Sequence, residues 1–312
     1  MRLGRKSRSG GNGRTPVPAP FVVGATRSGT TLLRLMLDAH PELAIPFETH
    51  FIPKLIAAGE NGSPSADDLA EIVIGHRRWR DFHLEPDELR TAYRELDPPN
   101  AADAIRAFFG LYAEHQGKPR WGDKTPGYVK KMEKLQAVLP EARFVHIIRD
   151  GRDVALSVVP RSFGPDSVGK AARNWKRTIR EAQRQAPSVD HYLEVRYEEL
   201  VLDTENVLRG ICEFCELDFH PAMLDYHERA GERLDEKRRR PKPGRSLEGP
   251  ANLSGHALTK EPPRPDQLAK WRGEMTEYDR GAFEAVAGDL LAELGYDVAP
   301  PAGSLTATDG SD

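Results

Sequence analysis

Two cysteines, a near balance of charge and the want of any long apolar run set the first limits on this 312-residue sequence. Cys212 and Cys215 are spaced C-x-x-C with no second pair, so a structural zinc site would be two ligands short. They fall in a helical pattern of Val207, Leu208, Ile211, Phe214 and Leu217 and read as structural helix cysteines. The formal net charge of −3 offers no excess of one sign, and nothing global points to nucleic acid. No segment is apolar over enough residues to span a bilayer, and Met1 to Pro20 has no apolar stretch suited to a signal peptide. The expectation is a soluble, cytoplasmic enzyme. Residues 1–19, with Arg2, Arg5, Lys6, Arg8 and Arg14 among Gly, Ser and Pro, read as a disordered basic tail, with a nucleic-acid or membrane arm as the competing reading. Residues 298–312 read as a second frayed end.

What is present is an ordinary globular composition, 38% hydrophobic and 30% charged, on a chain long enough to bury a large core without metals or disulfides. One elaborated domain over residues 20–297 is expected. Phe21-Val22-Val23-Gly24 is a short strand pattern that stops at glycine, and a helical pattern of Leu32, Leu33, Leu35, Met36 and Leu37 follows at once. His40-Pro41 should end that helix, because the residue before proline is pushed out of the α region. Residues 51–116 read as insert helices broken by Gly, Ser and Pro. Two more strands are expected at Arg143–Ile148 and His191–Tyr197, with helices around Tyr128–Leu139 and through Trp175 and Ile179. Strands separated by helices predict an α/β fold: a P-loop-type three-layer sandwich with a central parallel sheet, five-stranded or similar, and helices on both faces. Residues 235–265, rich in Arg, Lys, Pro and Gly, are too long for a plain connector. Helix returns through Trp271 and again through Phe283 to Leu294, with Gly295 as its cap.

The loop Gly24-Ala25-Thr26-Arg27-Ser28-Gly29-Thr30-Thr31 keeps the G-x-x-x-x-G frame of a phosphate loop but has Thr30 where the ATP-binding version has lysine. Its N–H groups and the start of the following helix can cradle one phosphate, and the threonine hydroxyls add donors. The missing lysine normally reaches the β and γ phosphates, so a donor with a single 5′-side phosphate fits better than ATP, with Arg27 supplying a planar cation. A glycine-rich turn as mere punctuation is the plainer alternative. The second strand ends in Arg149 rather than in an aspartate suited to magnesium. A cation there, where ligands gather on open α/β sheets, suggests a second anion site.

With Arg27-Ser28-Gly29-Thr30-Thr31-Leu32 and then Arg149-Asp150-Gly151-Arg152 followed by Ser157, the chain resembles the sulfotransferases that use 3′-phosphoadenosine-5′-phosphosulfate (PAPS). Within them it is most similar to the tyrosylprotein sulfotransferases and the bacterial enzymes like them, through Arg27 to Glu42, Glu48-Thr49 and Ile52-Pro53. The likeness spans roughly residues 21–296 but is dense only in short blocks. It implies PAPS as sulfuryl donor and no metal. It also implies a 5′-phosphosulfate site at Arg27, Ser28, Gly29, Thr30 and Thr31, and a 3′-phosphate site at Arg149 and Ser157. Arg161, Tyr197, Ser254 and Lys270 match further nucleotide contacts. By the same resemblance Glu48 is the catalytic base and Lys124, in Trp121-Gly122-Asp123-Lys124-Thr125-Pro126, assists the leaving group, with Arg27 sharing that load.

The chain departs from the pattern at His50, where the family has an arginine that helps hold acidic peptide. The acceptor expected is therefore any hydroxyl-bearing partner: a small molecule, a glycan or a peptide tyrosine. A homodimer is left open. Phe47 and Phe51 should desolvate Glu48 and raise its pKa toward the working pH, and His50 is the competing base. His146, on an apolar strand, reads as a satisfied core histidine. The basic run Arg233–Arg245 reads as a solvated face, with attraction of an anionic acceptor or closure over the donor as the competing readings. A phosphate-loop kinase or NTPase and a nucleotide-binding protein without catalysis are the two rival readings.

Overall fold

The structure, a computed structural model, describes residues 16–235 and 259–298. Most of both expected tails, Ser254, and the basic run beyond Asp235 lie outside the described residues.

In chain order the elements begin with β1 (Ala19–Gly24), α1 (Thr30–Asp38) and β2 (Leu43–Ala44). The insert follows as α2 (Ile52–Glu60), α3 (Ala66–Ile74), α4 (Pro86–Arg94) and α5 (Ala101–His115). Then come β3 (Arg120–Trp121), β4 (Asp123–Lys124), α6 (Met132–Val138), β5 (Ala142–Ile148), α7 (Gly151–Val158) and α8 (Val168–Gln185). The remainder is β6 (Tyr192–Arg196), α9 (Tyr197–Leu202), α10 (Thr204–Phe214), α11 (Tyr226–Asp235), α12 (Trp271–Glu274) and α13 (Glu277–Glu293).

The main sheet has four strands, all parallel, in the order β4-β1-β5-β6, and β2 and β3 form a separate parallel pair. The two-residue strands β2, β3 and β4 are too short to carry a period-2 pattern, so the sequence does not announce them. Ala19 pairs with Ala142, so β1 starts within the stretch read as tail. Burial explains the layering: along β1, Phe21 and Val23 join a core with α2 to α5, whereas Val22 faces α1, α10 and α11. Successive side chains of a strand point to opposite faces, and here both faces are covered, which is why β1 is apolar throughout. A third cluster, from Ala25 and Ile148 to Trp175, Phe283 and Leu290, closes the C-terminal end of the sheet with α7, α8 and α13.

His146 is fully buried on β5, its Nδ1 lies 2.6 Å from the Tyr192 hydroxyl, and burial pushes its pKa down to about 3. It is a neutral core histidine. Cys212 and Cys215 are free and buried against α1 and Met223. Arg233, expected in a solvated face or a lid, is instead buried, and its Nε donates to Asp38 Oδ2 at 2.6 Å. Asp38 lies buried at the end of α1. Burial alone would raise its pKa, but Arg233, Arg34, Lys118 and the Ile45 amide outweigh it and keep the carboxylate charged.

Candidate active site

The loop after β1 is shaped by backbone that side chains would block. Gly24 has φ +151°, and a Cβ there would stand 2.6 Å from the Ile147 carbonyl oxygen. Gly29, at φ +100°, lies against the Tyr197 ring, which an added Cβ would meet at 2.3 Å. Gly29 is the N-cap of α1 and contributes no side-chain cap, so the first N–H groups of the helix, from Thr30 and Thr31 onward, point into the loop without a capping oxygen. Ser28 is fully buried and its Oγ has no hydrogen-bond partner among the described residues.

Next to this loop, the end of β5 places Arg149. Its guanidinium stacks 4.5 Å from the Tyr197 ring centroid and bonds Asp153 Oδ2 at 3.3 Å, while its Nε is buried without a partner among the described residues. Ser157, two turns along α7, accepts a bond of 2.9 Å from Arg27 Nε. Arg161 follows, its Nε donating to the Ser157 carbonyl at 3.4 Å. Arg27 has its pKa lowered by burial first and then by repulsion from Arg161 and Arg149. Three guanidinium groups thus crowd one end of the sheet, and a multivalent anion would relieve their repulsion. Arg27 and Arg149 come from adjacent strand ends, β1 and β5.

On the other flank of β1, β4 pairs Lys124 with Val22. Lys124 is buried, and its Nζ donates to Glu48 Oε1 at 3.0 Å. Glu48 Oε2 takes His50 Nε2 at 2.9 Å and Arg78 Nη2 at 3.3 Å, and Arg78 also bonds Asp81. Burial would raise the Glu48 pKa, but Lys124, His50 and Arg78 more than cancel it and hold the carboxyl far below the usual carboxylate range. The expected upward shift is therefore overturned. Phe47 and Phe51 are indeed buried, but the carboxylate itself sits among three cationic or donor groups. For Lys124, burial lowers the pKa and Glu48 works against that.

The loop is pinned at the next residue. Thr49 Oγ1 donates to Asp123 Oδ1 at 2.8 Å and lies 2.9 Å from the Tyr128 hydroxyl, and the Thr49 N–H donates to Thr125 Oγ1 at 3.0 Å. His50, at φ +53°, then turns its ring back onto Glu48. Beneath the loop, fully buried Arg34 bonds the Ile45 carbonyl at 2.9 Å and stacks 4.6 Å from the Phe47 ring centroid.

Of the expected residues, the structure gathers Arg27, Ser28, Gly29, Thr30, Thr31, Arg149, Ser157, Arg161 and Tyr197 at one end of β1 and β5, and sets Glu48 with Lys124 at β4, the strand on the other flank of β1. Lys270 stands apart, its ammonium 3.3 Å from Glu274 and 37% exposed. Its neighbours nevertheless dock on the site: Trp271 N–H bonds Asp153 Oδ1 at 2.9 Å and the Gln267 carbonyl accepts from Arg149 at 3.5 Å. Sequence reasoning missed Arg78, Thr49, Asp123 and Tyr128. Arg78 sits in the run His76-Arg77-Arg78-Trp79-Arg80, which reads as a solvated stretch. The described surface also holds two shallow clefts, about 440 Å³ along Lys170, Arg173 and Arg177 and about 480 Å³ beside Asp87, Glu88 and Glu95, and neither includes these residues.

Comparison with known proteins agrees with this geometry. Residues 18–221 match the sulfotransferase family. The chain is 29% identical to "Protein-tyrosine sulfotransferase 1" of Danio rerio, over 93% of this chain and 77% of that protein. It is 28% identical to "Protein-tyrosine sulfotransferase A" of Caenorhabditis elegans, over 90% of this chain and 67% of that protein. Its fold matches the sulfotransferase domain from the Synechococcus PCC 7002 olefin synthase with a TM-score of 0.59 at 24% identity, over 94% of this chain and 100% of that one. On the family match and these relatives together, the chain belongs to the sulfotransferase family.

Proposed function

We propose that this chain transfers a sulfuryl group from PAPS to the hydroxyl of an acceptor by in-line displacement, with Glu48 as general base. One observation carries the reading: the Arg27–Ser157 bond joins the phosphate loop of β1 to the helix that follows Arg149, so two anion sites meet across adjacent strands. PAPS carries a phosphate on each side of its ribose, and the residues present fit it. Ser28 Oγ and Arg149 Nε are buried donors without partners among the described residues, and the first turn of α1 is uncapped. Arg27, Ser28, Gly29, Thr30 and Thr31 would hold the 5′ side, with Arg149, Ser157, Arg161 and Tyr197 on the 3′ side. Bound there, PAPS supplies the activated sulfuryl group and a phosphate leaving group.

The chain's own residues supply the rest. Glu48 takes the acceptor proton, and Lys124 and Arg27 offset charge that develops on the leaving oxygen. The resting ion pair masks the base. Glu48 gains basicity only as Lys124, His50 or Arg78 gives up its bond to the carboxylate, which ties proton transfer to a filled site. His50, bonded to Glu48 through Nε2, orients the carboxylate in this reading. The named relatives give protein tyrosine as their acceptor, and this chain's acceptor is a small-molecule, glycan or tyrosine hydroxyl. A cytoplasmic setting belongs to the same proposal.

The test is calorimetric titration with 3′-phosphoadenosine-5′-phosphate, ATP and adenosine 5′-phosphate. Tight binding that requires the 3′-phosphate supports the proposal. Equal or better binding of magnesium-ATP would sink it in favour of a kinase. Binding without turnover of PAPS across an acceptor screen would leave a nucleotide-binding protein.

A further inference from the structure

The least explained group at the site is Asp123. It is fully buried beside Lys124 on β4, yet the two side chains serve different partners, because neighbours on a strand point to opposite faces. Lys124 meets Glu48, and Asp123 meets the next residue, Thr49. Asp123 Oδ1 accepts from Thr49 Oγ1 at 2.8 Å and from Thr125 Oγ1 at 3.2 Å. Asp123 Oδ2 is buried with no partner among the described residues. A carboxylate distributes its charge over both oxygens and seeks donors for each, and an orphaned anionic oxygen in the interior is far costlier than an orphaned O–H.

We propose that Asp123 is a positioning residue for this reaction, and that its uncharged carboxyl holds Thr49 and so sets Glu48 against Lys124. The inference rests on the function proposed above. Thr49 also receives Tyr128, whose hydroxyl takes the Ile52 N–H at 3.3 Å, so the start of α2 is tied to the same point. The titratable groups facing Asp123 are Lys124 on its own strand, His50 on the Glu48 loop and Tyr128 on the turn before α6. Lys124 and His50 both make hydrogen bonds to Glu48, and among the described residues no lysine, arginine or histidine bonds Asp123. Burial accordingly pushes the Asp123 pKa up to about 7, against the pull of Thr49, Thr125, Lys124 and His50.

The experiment uses Asp123→Asn, Asp123→Ala and Thr49→Val in the full chain. Asparagine keeps the acceptor oxygen and carries no charge. Loss of the tether in Asp123→Ala should lower kcat by about a hundredfold, as expected when a catalytic group shifts by an ångström, with donor KM little changed. Thr49→Val should reproduce that loss, and Asp123→Asn should recover most of it. A full rate in Asp123→Ala, or a rate in Asp123→Asn as low as in Asp123→Ala, overturns the positioning role.

Two readouts need no acceptor. Amine labelling of Lys124 by acetic anhydride, read by peptide mass, should rise severalfold in Asp123→Ala and stay low in Asp123→Asn; equal labelling in all three proteins overturns the tether. An acid whose folded pKa is raised binds a proton in the folded state that the unfolded state has released, so stability falls as pH rises through that interval. The melting temperature of Asp123→Asn relative to wild type should therefore climb as pH rises toward about 7 and level off above it. A difference independent of pH overturns the uncharged carboxyl. If no acceptor is ever turned over, these two arms still judge the tether while the rate assays judge the sulfotransferase reading.

Discussion

The two halves of the site are built in opposite ways. The proposed donor half is a pair of contiguous motifs at the ends of neighbouring strands, β1 and β5, and it leaves Ser28 Oγ and Arg149 Nε without a partner among the described residues. The acceptor half is assembled from distant pieces, the loop at Glu48, the strand β4 and the turn carrying Arg78, and every oxygen of its carboxylate is taken. A site that must grip a strong anion holds donors in waiting. In the proposed mechanism, a site that must move one proton keeps its base covered until substrates displace the cover. Its dependence on long-range contacts makes the second half the easier to disturb.

Glu48→Gln should show the largest effect. It removes the proposed base while preserving shape, and kcat should drop by about a thousandfold, within the usual span for general-base catalysis. Affinity for 3′-phosphoadenosine-5′-phosphate should not change, because the donor half bonds none of the Glu48 oxygens. A parallel loss of nucleotide binding would erase the division between the halves. Arg149→Ala tests the other side. It removes a guanidinium 87% shielded from solvent. Loss of a charged hydrogen bond of about 2 kcal/mol should weaken nucleotide binding by roughly thirtyfold and leave adenosine 5′-phosphate binding nearly as it was.

Arg78→Met sharpens the comparison from within the acceptor half. Glu48 has its pKa depressed, so removing one of the cations responsible lets it rise. The acid limb of kcat/KM should move to higher pH. The sign also holds for stability: the ionised carboxylate contributes above the ordinary carboxylate range, and the contribution is lost as pH falls through the folded value, which is higher in the variant. An unchanged pH profile would mean that Lys124 and His50 alone hold the charge.

The sequence displays the donor half because its chemistry is local. Gly24, Arg27, Gly29 and Thr30 lie within seven residues, and the glycines mark positions where a Cβ would strike Ile147 or Tyr197. The three long strands are legible for the same reason, β1 and β5 as largely buried apolar runs and β6 as a half-exposed stretch whose Val195 is buried. The acceptor half is partly hidden because pairing across 30 and 76 residues, Arg78 and Lys124 to Glu48, has no period to reveal it. Glu48 and Lys124 became visible only by resemblance, and resemblance gave no hint of the charge state. Phe47 and Phe51 suggested desolvation, but a pKa answers to the net of burial and charge, and here the charges win. The buried Asp38–Arg233 pair was likewise masked by its place in a basic run.

Lys270→Ala should have the smallest effect and decides how complete the donor half is before ligand arrives. Its ammonium bonds Glu274 at 3.3 Å and is 37% exposed, and such surface pairs contribute little, about 0.5 kcal/mol, to stability. Yet the segment around it is clipped to Arg149 through the Gln267 carbonyl and through Trp271 and Asp153. If the site is already formed, Lys270→Ala should weaken nucleotide binding by less than about threefold, and added salt should erase the difference because exposed charges are screened. A loss comparable to that of Arg149→Ala would mean that Lys270 leaves Glu274 and closes on the nucleotide. In that case the donor half, like the acceptor half, exchanges a resting ion pair for a substrate contact, and the contrast between them would be one of timing rather than construction.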